Sequence, residues 1–278
     1  MRLSLRESPR WFLSKGRNVD AARAIADVLD VDRGKLDALG AAAAQSVHVA
    51  AKVPAHVLSR GLGALFSRPY LTRTTLACVP WFLMDIASYG IGLFTPVLLG
   101  SLHFGGRIHG TVAANFSDIK GSTAIDLFLL IGFLLGVWAI PRFGHLRLQI
   151  FGFCSMIAGM LVLLTALWVC GPTPCTTAIF GGFVLFNLAM SMGPHSTTFA
   201  LPAELFPTQL RGAGSGLASA TAKIGAGLGV FVLPTVKHDF GVPAILVLMA
   251  VVSLAGALVT ALCAERLGGK ASLEERHT

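Results

Sequence analysis

Six apolar stretches, each near the length that carries an α-helix across a bilayer, restrict this chain to one broad class. They fall at about 71–99, 124–140, 148–169, 177–201, 211–232 and 242–264. A hydrocarbon core about 30 Å thick takes roughly 20 residues of helix. A transmembrane barrel would instead show alternating segments of roughly ten residues, and this sequence has none. Composition agrees: 54% of residues are hydrophobic and 13% charged, against about 45–50% and 25% in soluble domains. The expectation is an all-α membrane protein with a six-transmembrane-helix bundle. A soluble enzyme is excluded, since no nucleophile, metal cluster or phosphate loop occurs in the right context, and neither cofactor nor metal is expected.

Charge placement gives the topology. The net charge of +8 could suggest a nucleic-acid partner, but the lysines and arginines crowd the first 70 residues and a few short loops. That is the distribution of the positive-inside rule. Loops after the first, third and fifth spans carry Arg107, Lys120 and Lys237, whereas the opposite side carries Arg142, Arg147 and Arg211, and the tail adds Arg266, Lys270 and Arg276. Both termini are therefore expected in the cytoplasm, as an even number of spans requires. Three regions follow: a cytosolic segment at 1–70, the bundle at 71–264 and a cytosolic tail at 265–278. Within the first, 18–29 reads as an amphipathic helix with Val19, Ala22, Ile25 and Leu29 on one side, and 33–51 as a second surface helix. Residues 1–23 lack the apolar stretch of about 7–15 residues that a secretory signal needs. The expected location is a multi-pass position in the plasma (inner) membrane.

Small residues and breakers punctuate the spans. Gly212, Gly214, Gly216, Gly225 and Gly229 fall in the fifth, where small side chains let backbones approach closely in lipid. A nucleotide fingerprint does not fit them, because no strand precedes and the third glycine is misplaced. Pro80, Pro96, Pro194 and Pro202 interrupt the first and fourth spans; such breaks mark substrate-lining helices or simple kinks. The five cysteines show no zinc spacing. Cys78, Cys154 and Cys263 read as packing residues, and Cys170 and Cys175 flank an outer loop as either free thiols or a disulfide.

Ionisable groups inside the spans single out a site. Asp85 lies near the middle of the first span, where a carboxylate costs about 2.5–3.5 kcal/mol and so usually faces a bundle interior or a wet cavity. Trp81 and Tyr89 flank it at i−4 and i+4, which puts an indole, a carboxyl and a phenol on one helical face. Lys223 lies about 12 residues into the fifth span, roughly 18 Å from its edge and too deep to snorkel easily. His195 sits in Gly193-Pro194-His195-Ser196-Thr197-Thr198, rich in hydroxyls. Taken singly, the aromatics and the histidine are ordinary packing residues, and Asp85 with Lys223 could be a structural ion pair. Together they suit a small hydrated anion and a proton. Asp126 is expected at the outer water interface, and Glu204 in a loop network with Arg211.

Several motifs resemble a known superfamily. Glu7-Ser8-Pro9-Arg10-Trp11, followed by Lys15-Gly16-Arg17, resembles the segment after the sixth helix of sugar-porter-like members of the major facilitator superfamily. The stretch from Pro202-Ala203-Glu204-Leu205-Phe206-Pro207 to Arg211-Gly212 resembles their motif between helices ten and eleven. Trp81-x3-Asp85-x3-Tyr89, with Ser219-Ala220-Thr221-Ala222-Lys223-Ile224-Gly225-Ala226, is similar to the phosphate:proton symporter family. The resemblance implies the carboxy-terminal half of such a transporter, helices seven to twelve. It also implies that Trp81, Asp85 and Tyr89 contact substrate and that Lys223 lies near it. His195 stands where that family usually has asparagine, and Pro141 replaces the acidic residue of its loop after helix eight.

The expected function is proton-coupled uptake of inorganic phosphate or a similar small anion, in partnership with the lipid bilayer and a separate chain supplying helices one to six. Two alternatives stay open: a transporter of an organic anion or sugar-like metabolite, and a non-transporting remnant or regulatory partner.

Overall fold

The computed structural model describes residues 12, 17, 19–21, 23–24, 61–101, 111–169 and 175–268. Among these residues all regular structure is helical. After a short 3-10 turn, Gly61–Phe66, come α1 (Arg68–Ser101), α2 (Thr111–Phe143), α3 (His145–Val169), α4 (Thr176–Met190), α5 (Ser196–Leu205) and α6 (Thr208–Arg266). A five-residue π turn, Ser191–His195, joins α4 to α5 into one pass.

The 59 residues of α6 would extend roughly 90 Å as one rod, about three bilayer cores. The rod breaks at Gly241, whose φ of 78° and ψ of −178° lie in a region that is essentially glycine-only. The two arms, 208–240 and 242–266, are each long enough to cross once, which makes six helical passes among the described residues. Helical stretches at Arg68–Gly92, His145–Val169, Thr177–Leu205 and Thr208–Arg266 are long and apolar enough to span a membrane, and Leu127–Phe143 is a shorter apolar helix. Substituting Gly241→Ala forces a Cβ into the strained conformation. The expected cost is about 1–3 kcal/mol, read as a lower unfolding temperature of the purified protein.

Lipid explains the pattern of exposure. The second arm of α6 leaves Val247, Val251, Leu254, Leu258 and Leu262 exposed, a single stripe at helical spacing. Its other face buries Ile245, Met249, Gly256 and Thr260 against α3, where the Phe153 ring lies on Gly256. Phe153, Phe183, Phe186, Met156 and Met160 fill the middle of the bundle.

Glycines set how closely the helices approach. A Cβ at Gly229 would stand 2.7 Å from the Ile86 carbonyl oxygen, and one at Gly225 would meet the Phe82 carbonyl. The first arm of α6 therefore rests backbone to backbone on α1. In the same way Gly132 and Gly136 of α2 lie against the Leu188 and Met192 carbonyls, which fastens α2 to the π turn.

Several local expectations change. α1 runs unbroken through Pro80, and Pro194 is absorbed by the π turn. The wider turn takes up the ring that would clash in an α-helix, and the Ser196 hydroxyl donates to the Ser191 carbonyl. Asp126 lies in α2 one residue before the apolar stretch Leu127–Phe143, and Lys120 and Lys237 lie in helices rather than loops. Near the amino end Val19 is 65% exposed, while Ala21 and Ala24 are buried. Val19, expected on the apolar side, is thus not on the buried one. Ala22, Ile25 and Leu29, the segment 33–51 and Cys170 lie outside the described residues. Cys175 is disulfide-bonded, whereas Cys78, Cys154 and Cys263 are free thiols.

Candidate functional site

The close approach of α6 to α1 determines what Asp85 meets. Gly225 and Gly229 lock the first arm of α6 against Phe82 and Ile86, and two residues before Gly225 the same arm carries Lys223. Its Nζ donates to Asp85 Oδ2 at 3.1 Å and to Tyr89 Oη at 3.1 Å. It also lies 4.9 Å from the centroid of the Tyr89 ring. Asp85 and Lys223, 138 positions apart in sequence, thus form an ion pair in the interior of the span.

The pair is asymmetric. The Asp85 side chain is 5% exposed and that of Lys223 62%. The carboxylate is sealed from solvent, while the ammonium stands exposed beside the half-exposed Tyr89. An ammonium has three N–H donors; Asp85 and Tyr89 take two, and among the described residues no protein acceptor is recorded for the third.

The other wall is aromatic. Trp81, 4% exposed, leans on Phe199 with ring centroids 4.7 Å apart. Phe199 in turn stacks on His195 at 5.8 Å, their planes 23° apart. The Trp81 indole lies close enough to the Asp85 carboxyl to interact with it, and His195 lies within electrostatic reach of both Asp85 and Lys223. His195 Nδ1 is buried with no hydrogen-bond partner among the described residues, an uncommon state for a buried polar atom.

All five residues singled out in the sequence, Trp81, Asp85, Tyr89, His195 and Lys223, therefore gather in one region. Phe199 joins them and was missed. It stands four residues after His195, so the same i, i+4 spacing that links Trp81, Asp85 and Tyr89 was its available signal.

At the opposite end of the fourth pass, Glu204 does not pair with Arg211 as expected. Its Oε2 lies 3.1 Å from His145 Nδ1, and Arg211 Nε is buried without a partner among the described residues. The reason is the chain reversal at Gly144, whose φ of +79° swings the start of α3 under the end of α5.

Among the described residues no group of three or more histidines, cysteines or carboxylates could hold a metal ion.

Comparison with known proteins gives the family. A family model described as "Sugar (and other) transporter" matches residues 1–271. Probable inorganic phosphate transporter 1-6 of Arabidopsis thaliana is 29% identical over 284 aligned positions, covering 99% of this chain and 52% of the relative. Low affinity inorganic phosphate transporter 8 of Medicago truncatula is 30% identical over 246 positions, covering 76% and 42%. Among solved structures, the major facilitator superfamily proton:xylose symporter XylE, bound to 6-bromo-6-deoxy-D-glucose, superposes with a TM-score of 0.64 at 20% identity. That match covers 92% of this chain and 50% of XylE. The chain spans about half the length of the relatives it matches over nearly its whole extent.

Proposed function

We propose that this chain, which belongs to the sugar (and other) transporter family, supplies one wall of a proton-coupled transport site for inorganic phosphate or a similar small anion. The observation that carries the reading is the Lys223 ammonium, held by Asp85 and Tyr89 with its third donor unclaimed among the described residues. The relatives named as inorganic phosphate transporters support phosphate as the anion.

In this reading Lys223 compensates the charge of the anion, Tyr89 hydrogen-bonds its oxygens, and Trp81 lines the buried side of the site beside Asp85. Asp85 accepts a hydrogen bond from a protonated phosphate oxygen, and His195 contributes a polar contact. A phosphate dianion beside an ionised Asp85 would be repelled, so one of the two carries a proton when the site is loaded. That requirement couples a proton to the anion. The opposite wall comes from a six-helix amino-terminal half, with the site at the midplane between the two bundles. Both termini lie on the cytoplasmic side, as the loop charges suggest.

The test is uptake of labelled phosphate into vesicles holding this chain with the six amino-terminal helices of the Arabidopsis relative, or either half alone. Uptake is expected only when both are present, and excess unlabelled phosphate should compete while sugars do not. Competition by aromatic acids in place of phosphate would favour an organic anion, the second reading, which the exposed ring of Phe199 supports. No uptake of any anion would remove the transport reading.

A further inference from the structure

We infer that Gln149 is a positioning residue for this site, holding the π turn that presents His195 and Phe199, without itself touching cargo. The inference rests on the proposed reading of the site.

Gln149 lies in α3 and is 0% exposed, as are Thr197 of α5 and Thr260 of the second arm of α6. The three side chains form one chain of hydrogen bonds. Thr197 Oγ1 donates to Gln149 Oε1 at 2.8 Å, and Gln149 Nε2 donates to Thr260 Oγ1 at 2.9 Å. The Thr260 hydroxyl donates to the Gly256 carbonyl at 2.7 Å, so its oxygen can only accept from Gln149. That fixes which way the carboxamide points. An apolar side chain would fill the same space, but a carboxamide engaged at both ends specifies one arrangement of three elements.

The same face of α3 holds the turn at a second point. Gly152, three residues after Gln149, lies against Gly193 and Pro194, and a Cβ at Gly193 would stand 2.6 Å from the Gly152 Cα. The π turn and the start of α5 are therefore gripped from behind, through Gly193 and Thr197. Its front carries His195 and, one turn later, Phe199, whose ring covers Trp81. A shift of the turn moves both aromatic groups relative to Asp85 and Lys223.

The network also explains why the bundle can fold without it. Thr197 Oγ1 has a fallback acceptor in the Gly193 carbonyl at 3.0 Å, and Thr260 keeps the Gly256 carbonyl. Replacing Gln149 with leucine leaves neither hydroxyl orphaned. What disappears is the tie between α3 and α5.

The test compares wild type, Gln149→Leu, Thr197→Val and Thr197→Ser in vesicles that also hold the amino-terminal half. Two quantities are read: KM and kcat for phosphate uptake, and acrylamide quenching of Trp81 with Trp11, Trp138 and Trp168 changed to phenylalanine. Gln149→Leu and Thr197→Val should raise KM about tenfold and leave kcat within about twofold. Both should make Trp81 easier to quench, because Phe199 no longer lies on it. Thr197→Ser keeps the hydroxyl and should match wild type. Unchanged KM and quenching in Gln149→Leu would overturn the inference, and so would a serine variant that behaves like valine. Absence of phosphate uptake in wild type would instead strike the cargo reading, and the quenching comparison would still decide the role of Gln149.

Discussion

Replacing Lys223 with methionine will cost far more stability than replacing Asp85 with asparagine, although both will abolish phosphate uptake. The asymmetry follows from exposure. Lys223→Met leaves a carboxylate that is 5% exposed without its counter-charge, whereas Asp85→Asn leaves an ammonium that is 62% exposed and still bonded to Tyr89. Breaking a buried ion pair typically costs about 3–5 kcal/mol because one charge is left stranded. Solvent around Lys223 weakens the pair that is lost and places the expected value toward the lower end of about 3 kcal/mol. Asp85→Asn keeps a polar group that can still accept from the ammonium, and its expected cost is below about 1 kcal/mol. The double variant should recover most of the stability lost in Lys223→Met, since no charge is then buried, and should recover no uptake. Thermal unfolding of the purified variants, paired with the vesicle assay, separates the two effects. Equal and small losses of stability would mean that the ion pair is open to water and that Asp85 is not sealed as described. Normal uptake by Asp85→Asn would remove the proposed role of the carboxyl in handling the proton.

The second large effect lies in the glycines that bring α6 onto α1. A methyl group at Gly225 or Gly229 meets the Phe82 or Ile86 carbonyl, and backbone cannot rotate away as a side-chain tip can. Each alanine substitution is expected to cost about 1–3 kcal/mol, and together they should push Lys223 out of reach of Asp85. Gly212, Gly216 and Gly227, in the same arm, have open space where a Cβ would go. Alanine at Gly216 or Gly227 should be neutral or gain up to about 1 kcal/mol of helix propensity. The same chemical change in one helix is thus expected to have opposite signs at positions a turn or less apart. A double-mutant cycle adds a direct reading: with Gly225 and Gly229 both alanine, Lys223→Met should cost much less than in wild type, because the pair is already parted. A full-sized effect of Lys223→Met in that background would show that the interhelical glycines do not set the ion pair.

Much of the molecule was legible in the sequence, for a physical reason. Membrane spans announce themselves locally, because each must supply roughly 20 apolar residues and satisfy its own backbone within one helix. The six passes follow from hydropathy alone. The alignment of Trp81, Asp85 and Tyr89 on one face follows from the 3.6-residue period, which is equally local. That Asp85 and Lys223 must find polar surroundings also followed, since lipid offers none.

Other features were decided only by packing between distant segments. No local rule pairs Asp85 with Lys223; Gly225 and Gly229 bring them together by letting two backbones touch. Glu204 was matched to Arg211 by nearness in sequence, yet the reversal at Gly144 brings His145 to it instead. Gln149 passed unnoticed because it stands near the start of its span, where a polar residue needs no partner. The structure buries it and gives it two. In a membrane protein, then, the solvent writes the helices into the sequence residue by residue. Which polar groups meet inside the bundle depends on interhelical distance and rotation, and these are set jointly by small residues on several helices.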